Sequence, residues 1–372
     1  MSSQSIVTQN RKFLLNSIGN QLPKKIQGLF CFGVRAFSLQ PLVSCNSNAR
    51  MSHLGNRVAA EQQMYRLLHH PKLFLLVWRA IAKQLALTSK SLVNVDYSNL
   101  GSLAILGFGL QTKHGRALPV LMRSLASNTQ GQKKTHPKYH KLKKSYLQWK
   151  KQVQADQFSF VIKSLRLLAY VYNCQPRLVF DRGFVHKGIV QFLCRRQWLF
   201  YLRMRSDYYV EYAGQYQLIN QLKPGEYKIY WEGELLRLIV GKPKKRTKEP
   251  WYILTNDNNT AVKKIWSYYY HRFEIEESFR DLKSLLKLKG SRVRTWESLR
   301  VILCFMSLAL ICALRETMIN KLTQTTVQKT QGAPPSTTKP VVHSKKTLSL
   351  VRIWQETIQR ALRHSVLTDW SL

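Results

Sequence analysis

Between residues 92 and 203 the apolar pattern changes period four times, and that order narrows the fold more than any other feature of the chain. Leu92-Val93-Asn94-Val95-Asp96 reads as a strand ending on an acid, residues 103–110 as a second strand, and residues 117–122 as a third after the turn at 113–115. Their connections are short enough for an antiparallel meander. Residues 158–172 then have helical spacing, 177–180 form a short apolar strand ending at Asp181, 188–196 a second helix, and 198–203 a fifth strand. Three strands, helix, strand, helix, strand is the order of a ribonuclease-H-like α/β core, where a site is built at the strand ends.

Acids are scarce here. Before residue 207 the chain holds only Glu61, Asp96, Asp156 and Asp181, and two of these four close predicted strands. A lone Asp at such a place commonly caps a turn. The whole chain, however, carries 59 Lys and Arg against 19 acids, a net charge of +40. That balance predicts a polyanionic partner, most simply nucleic acid, because neutralising phosphates releases condensed counterions. Two aspartates on strand ends and a glutamate on a following helix supply the hard oxygen donors of two-metal phosphoryl transfer, with coordination positions left for water and phosphate. The expected set is Asp96 bridging two Mg²⁺ ions (Mn²⁺ serving as well), Asp181 on one ion and Glu276 on the other.

Glu276 belongs to the stretch YYHRFEIEESFRDLK at 269–283. Taken as one helix at about 100° per residue, it gathers Tyr269, Arg272, Glu276, Arg280 and Lys283 within an arc of roughly 80°. One carboxylate then stands among four groups able to bind phosphate. Glu274 and Glu277 fall elsewhere on the wheel, so Glu276 is the expected ligand. Arg280 is expected to contact DNA or to pair with Glu276, and a solvated face of i,i+4 ion pairs is the plainer alternative for the whole arc.

Around this core the chain divides by composition. Residues 1–50 show no clear period and form an unplaced extension, with Met51 as a second possible start. Residues 51–91 read as a basic helical domain suited to DNA ends, broken near His70-Pro71. The core's first part is 92–203. Residues 204–259 form a β-rich insertion with a hairpin about Glu232-Gly233-Glu234, a strand at 251–254 and a basic loop at 242–248. Residues 260–316 complete the core: one helix from the turn at 256–259 to about Lys289, stopped by Gly290, then a basic link through Arg292 and Arg294 and an apolar helix at 299–315. Residues 317–372 comprise a polar linker and a last amphipathic helix. The lysine-rich segment 133–151 is expected to face phosphate; His136 and His140 within it are not expected to hold a metal.

The six cysteines contain no CxxC pair and suit a reduced, cytoplasmic protein on DNA. No secretory start is evident. The apolar run at 301–314 is short for a bilayer and reads as a buried helix, so no membrane partner is expected.

The spacing Y-(2)-R-(3)-E-(6)-K, met by Tyr269, Arg272, Glu276 and Lys283, resembles the signature of DDE transposases of the insertion-sequence-four type. The resemblance runs from about residue 57 to 316 and includes VDYSN around Asp96, VFDRGF around Asp181, WYILT at Trp251 and RFEIEESFRDLK. The spacer of about 95 residues between Asp181 and Glu276 fits that family's β-strand insertion. The resemblance implies cut-and-paste transposition by a homodimer on double-stranded DNA, acting on terminal inverted repeats and a target through a hairpin intermediate. It also implies that Tyr269, Arg272 and Lys283 grip phosphates near the cut and that Trp251 stacks on a flipped base; as an ordinary buried strand, WYILT equally suits a core Trp251. A ribonuclease-H-like nuclease without strand transfer and an inactive basic DNA-binding relic are the competing functions.

Overall fold

The computed structural model describes residues 12–34, 36, 57–100, 103–112, 115–126, 143–242, 249–290, 293 and 295–330. The chain forms two compact units. One holds Met1–Leu85, Leu118–Ser124 and Glu277–Leu372, the other Ala86–Ala117 and Leu125–Glu276. The lysine segment up to residue 142, both of its histidines, the basic loop beyond residue 242, Arg292, Arg294 and everything after 330 lie outside the described residues.

The first unit is mainly helical. A π-helical turn, Lys12–Ile18, and helix α1, Lys24–Gly33, occupy part of the stretch in which the sequence shows no period. The apolar residues there are buried in clusters rather than along one clean stripe, Phe30 and Phe32 among them. Helices α2, Arg57–Leu68, and α3, Leu73–Leu85, flank the expected break at His70-Pro71, where the His70 ring nitrogen accepts the backbone N–H of Leu73 and opens the second helix. Phe30 of α1 packs on Phe305, and Arg300 stacks over Phe74 of α3.

Phe305 and Arg300 belong to the long helix Trp296–Thr330. This corrects two expectations, since the helix begins before 299 and runs into the segment read as a polar linker. Its window Trp296–Ala313 is long and apolar enough to cross a membrane, but 83% of it is buried within the protein, as a core helix requires.

The second unit is built on a sheet. Among the described residues nine strands lie wholly within it: β1 (Leu92–Leu100), β2 (Leu103–Leu110), β4 (Arg177–Phe180), β5 (Phe200–Met204), β6 (Tyr209–Tyr212), β7 (Gln215–Leu218), β8 (Gly225–Trp231), β9 (Glu234–Gly241) and β10 (Trp251–Thr255). Strand β3, Leu118–Ala126, follows β2 in sequence and falls mainly in the other unit. The nine run in the order β2-β1-β4-β5-β10-β9-β8-β6-β7. β1, β4 and β5 are parallel neighbours, and β2 is antiparallel to β1. Helix α4, Lys143–Tyr172, precedes β4, and helix α5, Lys187–Arg195, links β4 to β5. This is the ribonuclease-H-like α/β arrangement. Helix α4 starts well before the expected residue 158, in a lysine-rich stretch without apolar period.

The insertion does not form a separate layer. β10 pairs antiparallel with β5, so β6 to β10 extend the core sheet sideways. Between β8 and β9, Glu232 (φ 52°) and Gly233 (φ 84°) form the two-residue turn that suits a right-twisted hairpin. Ala213 (φ 52°) and Gly214 (φ 77°) do the same between β6 and β7, a hairpin hidden in the sequence because alanine is a poor marker of the left-handed region.

Gly109 on β2 lies opposite Asn94 of β1, where a Cβ would stand 2.7 Å from the Ala117 Cβ and 3.4 Å from Ile275 Cγ1. Gly109→Ala is therefore expected to cost about 1–3 kcal/mol through overpacking, measured as a lowered urea midpoint; an unchanged midpoint would show that the sheet yields there without strain.

Candidate active site

The parallel pairing of β1 with β4 matches Val95 to Phe180. The next residues along the two strands are Asp96 and Asp181, so the backbone register alone brings the two carboxylates to the same level of neighbouring strands. Asp96 does not end its strand, as the sequence suggested. β1 continues to Leu100 beside β2, while its pairing with β4 stops at Val95. Beyond the acids, Tyr97 stacks on Phe184 with ring centroids 5.2 Å apart and planes within 4°, tying the two strand exits together. Asp181 precedes the short turn Arg182–Phe184 without capping it by its side chain, which removes the ordinary structural reason for an aspartate there.

The third acid comes from a helix that is not the one expected. The stretch after the insertion is helix α6, Val262–Tyr270, a 3₁₀ turn at His271–Phe273, and helix α7, Glu274–Ser284, with a further short turn at Leu288–Gly290. Tyr269 and Glu276 therefore lie on different helices, and the single arc from Tyr269 to Lys283 does not exist. Tyr269 and Arg272 nonetheless reach the acids. The Tyr269 hydroxyl donates to Asp181 Oδ1 at 3.2 Å. Arg272 donates from Nη1 to Asp96 Oδ2 at 3.4 Å and from Nη2 to Glu276 Oε1, and its Nε lies 4.0 Å from Asp181 Oδ1. One guanidinium thus spans all three predicted acids.

The electrostatics follow from this crowding. Burial pushes Asp96 up to about 6, against the opposing pull of Arg272 and of the Tyr97 N–H that donates to it at 2.7 Å. Burial by itself would lower the Arg272 pKa; Tyr269, Asp181, Asp96 and Glu276 more than reverse that, so the guanidinium is held charged. Burial also pushes the Tyr269 hydroxyl above its ordinary range, keeping it a neutral donor.

Arg280 pairs with Glu277 rather than Glu276. Lys283 follows Glu276 by seven residues, partly exposed on the same helix. Trp251 is half-buried: its ring meets Tyr269 edge-on at 5.0 Å and lies 6.2 Å from Trp266, with the Arg203 guanidinium 5.4 Å above it. Sequence reasoning missed Arg203, which sits in a strand with no period to single it out. It also missed Asn94, Gln111 and Glu274 as a group, although an Asn in the otherwise apolar run Leu92–Val95 signals a buried partner.

Among the described residues no three His, Cys, Asp or Glu side chains lie close enough together to hold a metal ion. What gathers Asp96, Asp181 and Glu276 is the Arg272 cation. By donor chemistry, though not by their present spacing, three hard carboxylates around one positive charge suit a divalent cation. None of the five described cysteines, Cys31, Cys174, Cys194, Cys304 and Cys312, is in a disulfide.

Residues 152–312 match the family model described as the transposase DDE domain. The match contains Asp181, Arg272 and Glu276 and begins after Asp96. Among solved structures the chain is similar to a piggyBac transposase in a synaptic complex with hairpin DNA, at 10% identity and a TM-score of 0.37, over 96% of this chain and 79% of that one. No curated protein matches the chain.

Because folding raises the Asp96 pKa from 3.8 to about 6, the folded state takes up an extra proton between those values. Without metal, that stability is present at low pH and is lost as pH rises through about 6. The stability of the protein relative to Asp96→Asn should fall by up to about 3 kcal/mol between pH 4 and 7, measured by urea unfolding with EDTA. A flat difference would show that Asp96 titrates normally.

Proposed function

We propose that this chain is a metal-dependent DNA transposase whose catalytic acids are Asp96, Asp181 and Glu276. The observation that carries this is the single guanidinium of Arg272 spanning three carboxylates drawn from two adjacent parallel strands and a later helix. The net charge of +40 and the transposase DDE match over residues 152–312 support it.

Asp96, Asp181 and Glu276 would hold two Mg²⁺ or Mn²⁺ ions, which when bound supply Lewis acidity to the attacking and leaving oxygens of phosphoryl transfer. The chain's own residues do the rest. Arg272, relieved of its carboxylates, turns to a phosphate, for which its planar fork is suited. Tyr269 donates to a phosphate oxygen or steadies Asp181, and Lys283 and Arg280 add positive charge along α7. Trp251, edge-on to Tyr269 and beneath Arg203, offers a ring for an unstacked base, an interaction worth roughly 1–3 kcal/mol. The finer assignments rest on the sequence resemblance: an enzyme of the insertion-sequence-four type, cut-and-paste chemistry through a hairpin, a homodimer on paired terminal repeats, and a cytoplasmic location on DNA.

Supercoiled plasmid carrying the element's own terminal repeats should be cut at the repeat ends in Mg²⁺ and yield strand-transfer products. Glu276→Gln should bind the same DNA while cleavage falls to background. Cleavage that survives this substitution removes Glu276 from the site; cutting without joined products favours a nuclease; DNA binding with no metal-dependent breakage favours a non-catalytic binder.

A further inference from the structure

The 3₁₀ turn that separates Tyr269 from Glu276 is held by a buried polar cluster that the chemistry above does not use. Asn94, fully buried on β1, donates from Nδ2 to the His271 carbonyl at 3.0 Å. Gln111, just past β2, donates from Nε2 to the Tyr268 carbonyl at 2.7 Å and lies 2.7 Å from Asn94 Oδ1, to which it also donates. Glu274, fully buried at the first position of α7, accepts the Thr112 backbone N–H on Oε2 at 2.9 Å and meets His271 Nδ1 with Oε1 at 3.1 Å. Its own carbonyl accepts the Ala117 N–H at 3.1 Å.

These contacts explain the break. In an unbroken α-helix the Tyr268 and His271 carbonyls would serve the amides four residues on. Here side-chain amides from β1 and from the residue that follows β2 reach both carbonyls, and the His271 carbonyl takes the Glu274 N–H in a tighter turn. Asn94 and Asp96 are two residues apart on one strand and share its face. The same face of β1 therefore carries both a catalytic acid and the side chain that anchors the turn. Arg272 lies directly after one anchored residue and two residues before another. Burying a carboxylate generally costs more than burying an apolar residue of its size, and Glu274 is buried at the turn from which Arg272 reaches Asp96 and Glu276.

We propose that Glu274, together with Asn94 and Gln111, is a positioning residue: the cluster holds the 3₁₀ turn against β1 and β2 and so sets where Arg272 and Glu276 stand relative to Asp96. This rests on the proposed role of those three residues. Glu274 lies two residues from Glu276 in sequence, and its contacts with Thr112, His271 and Ala117 join the turn to the end of β2 and the residues after it.

The test compares the full chain with Glu274→Ala, Glu274→Gln and Gln111→Ala by four measurements: thermal unfolding, affinity for terminal-repeat DNA, single-turnover cleavage in Mg²⁺, and binding of Tb³⁺ read by luminescence sensitised from nearby Tyr and Trp. Glu274→Ala should lower cleavage and Tb³⁺ affinity by about 10- to 100-fold, as loss of an orienting outer partner does, while DNA affinity stays as in the wild type. Glu274→Gln keeps an acceptor for the Thr112 N–H and should recover most of both. Gln111→Ala, at a less buried position, should repeat the loss in milder form and serves if Glu274→Ala does not fold. Wild-type cleavage and Tb³⁺ affinity in folded Glu274→Ala or Gln111→Ala, with only the unfolding temperature lowered, overturns the positioning role. A wild-type chain that does not cut overturns the transposase reading while the Tb³⁺ series still decides the inference, and one that neither cuts nor takes up Tb³⁺ overturns both.

Discussion

The site depends on one cation. Register alone sets Asp96 beside Asp181, and carboxylates so placed repel each other more strongly as water is withdrawn. Arg272 relieves that repulsion for both and adds Glu276 from the following helix, at the cost of burying all but 14% of its side chain. The arrangement is tolerable because a guanidinium keeps its charge when buried and offers several donors in one plane. For Asp96 compensation is incomplete, since burial still holds its carboxyl above the usual carboxylate range despite Arg272.

The sheet beneath the site explains how a long insertion coexists with it. Since β10 returns to pair with β5, the insertion widens the sheet without disturbing the β1–β4 junction where the acids sit. The same return delivers Trp251 beside the last turn of α6, against Tyr269. Behind it, Asp257 accepts hydrogen bonds from the Tyr201 and Thr260 hydroxyls and from two backbone amides, which fixes the exit of β10 and the entry to α6. Strand, polar turn and helix thus lead from the insertion to Arg272 by short steps.

Much of this was legible in the sequence. The strand order, the two aspartates and Glu276 rest on local signals: a change of period, a scarcity of acids, and a carboxylate among cations. The broken helix was not legible, because a 3₁₀ turn barely disturbs apolar spacing and its cause lies 177 and 157 residues away, in Asn94 and Gln111. The arc drawn through Tyr269, Arg272 and Glu276 joined residues that do come together, but on a wrong premise. They converge because the turn redirects the chain, and beyond Glu276 the premise fails, leaving Arg280 with Glu277. The helical start of the chain and the early start of α4 were hidden for a different reason: neither has a clean apolar stripe to read.

The central claim is that Arg272 stands where divalent cations bind. Anomalous diffraction from crystals grown with Mn²⁺ tests it most directly. The account predicts manganese peaks coordinated by Asp96, Asp181 and Glu276, with the Arg272 guanidinium displaced from those oxygens. Manganese bound elsewhere, or Arg272 still joined to all three carboxylates at saturating Mn²⁺, would contradict it.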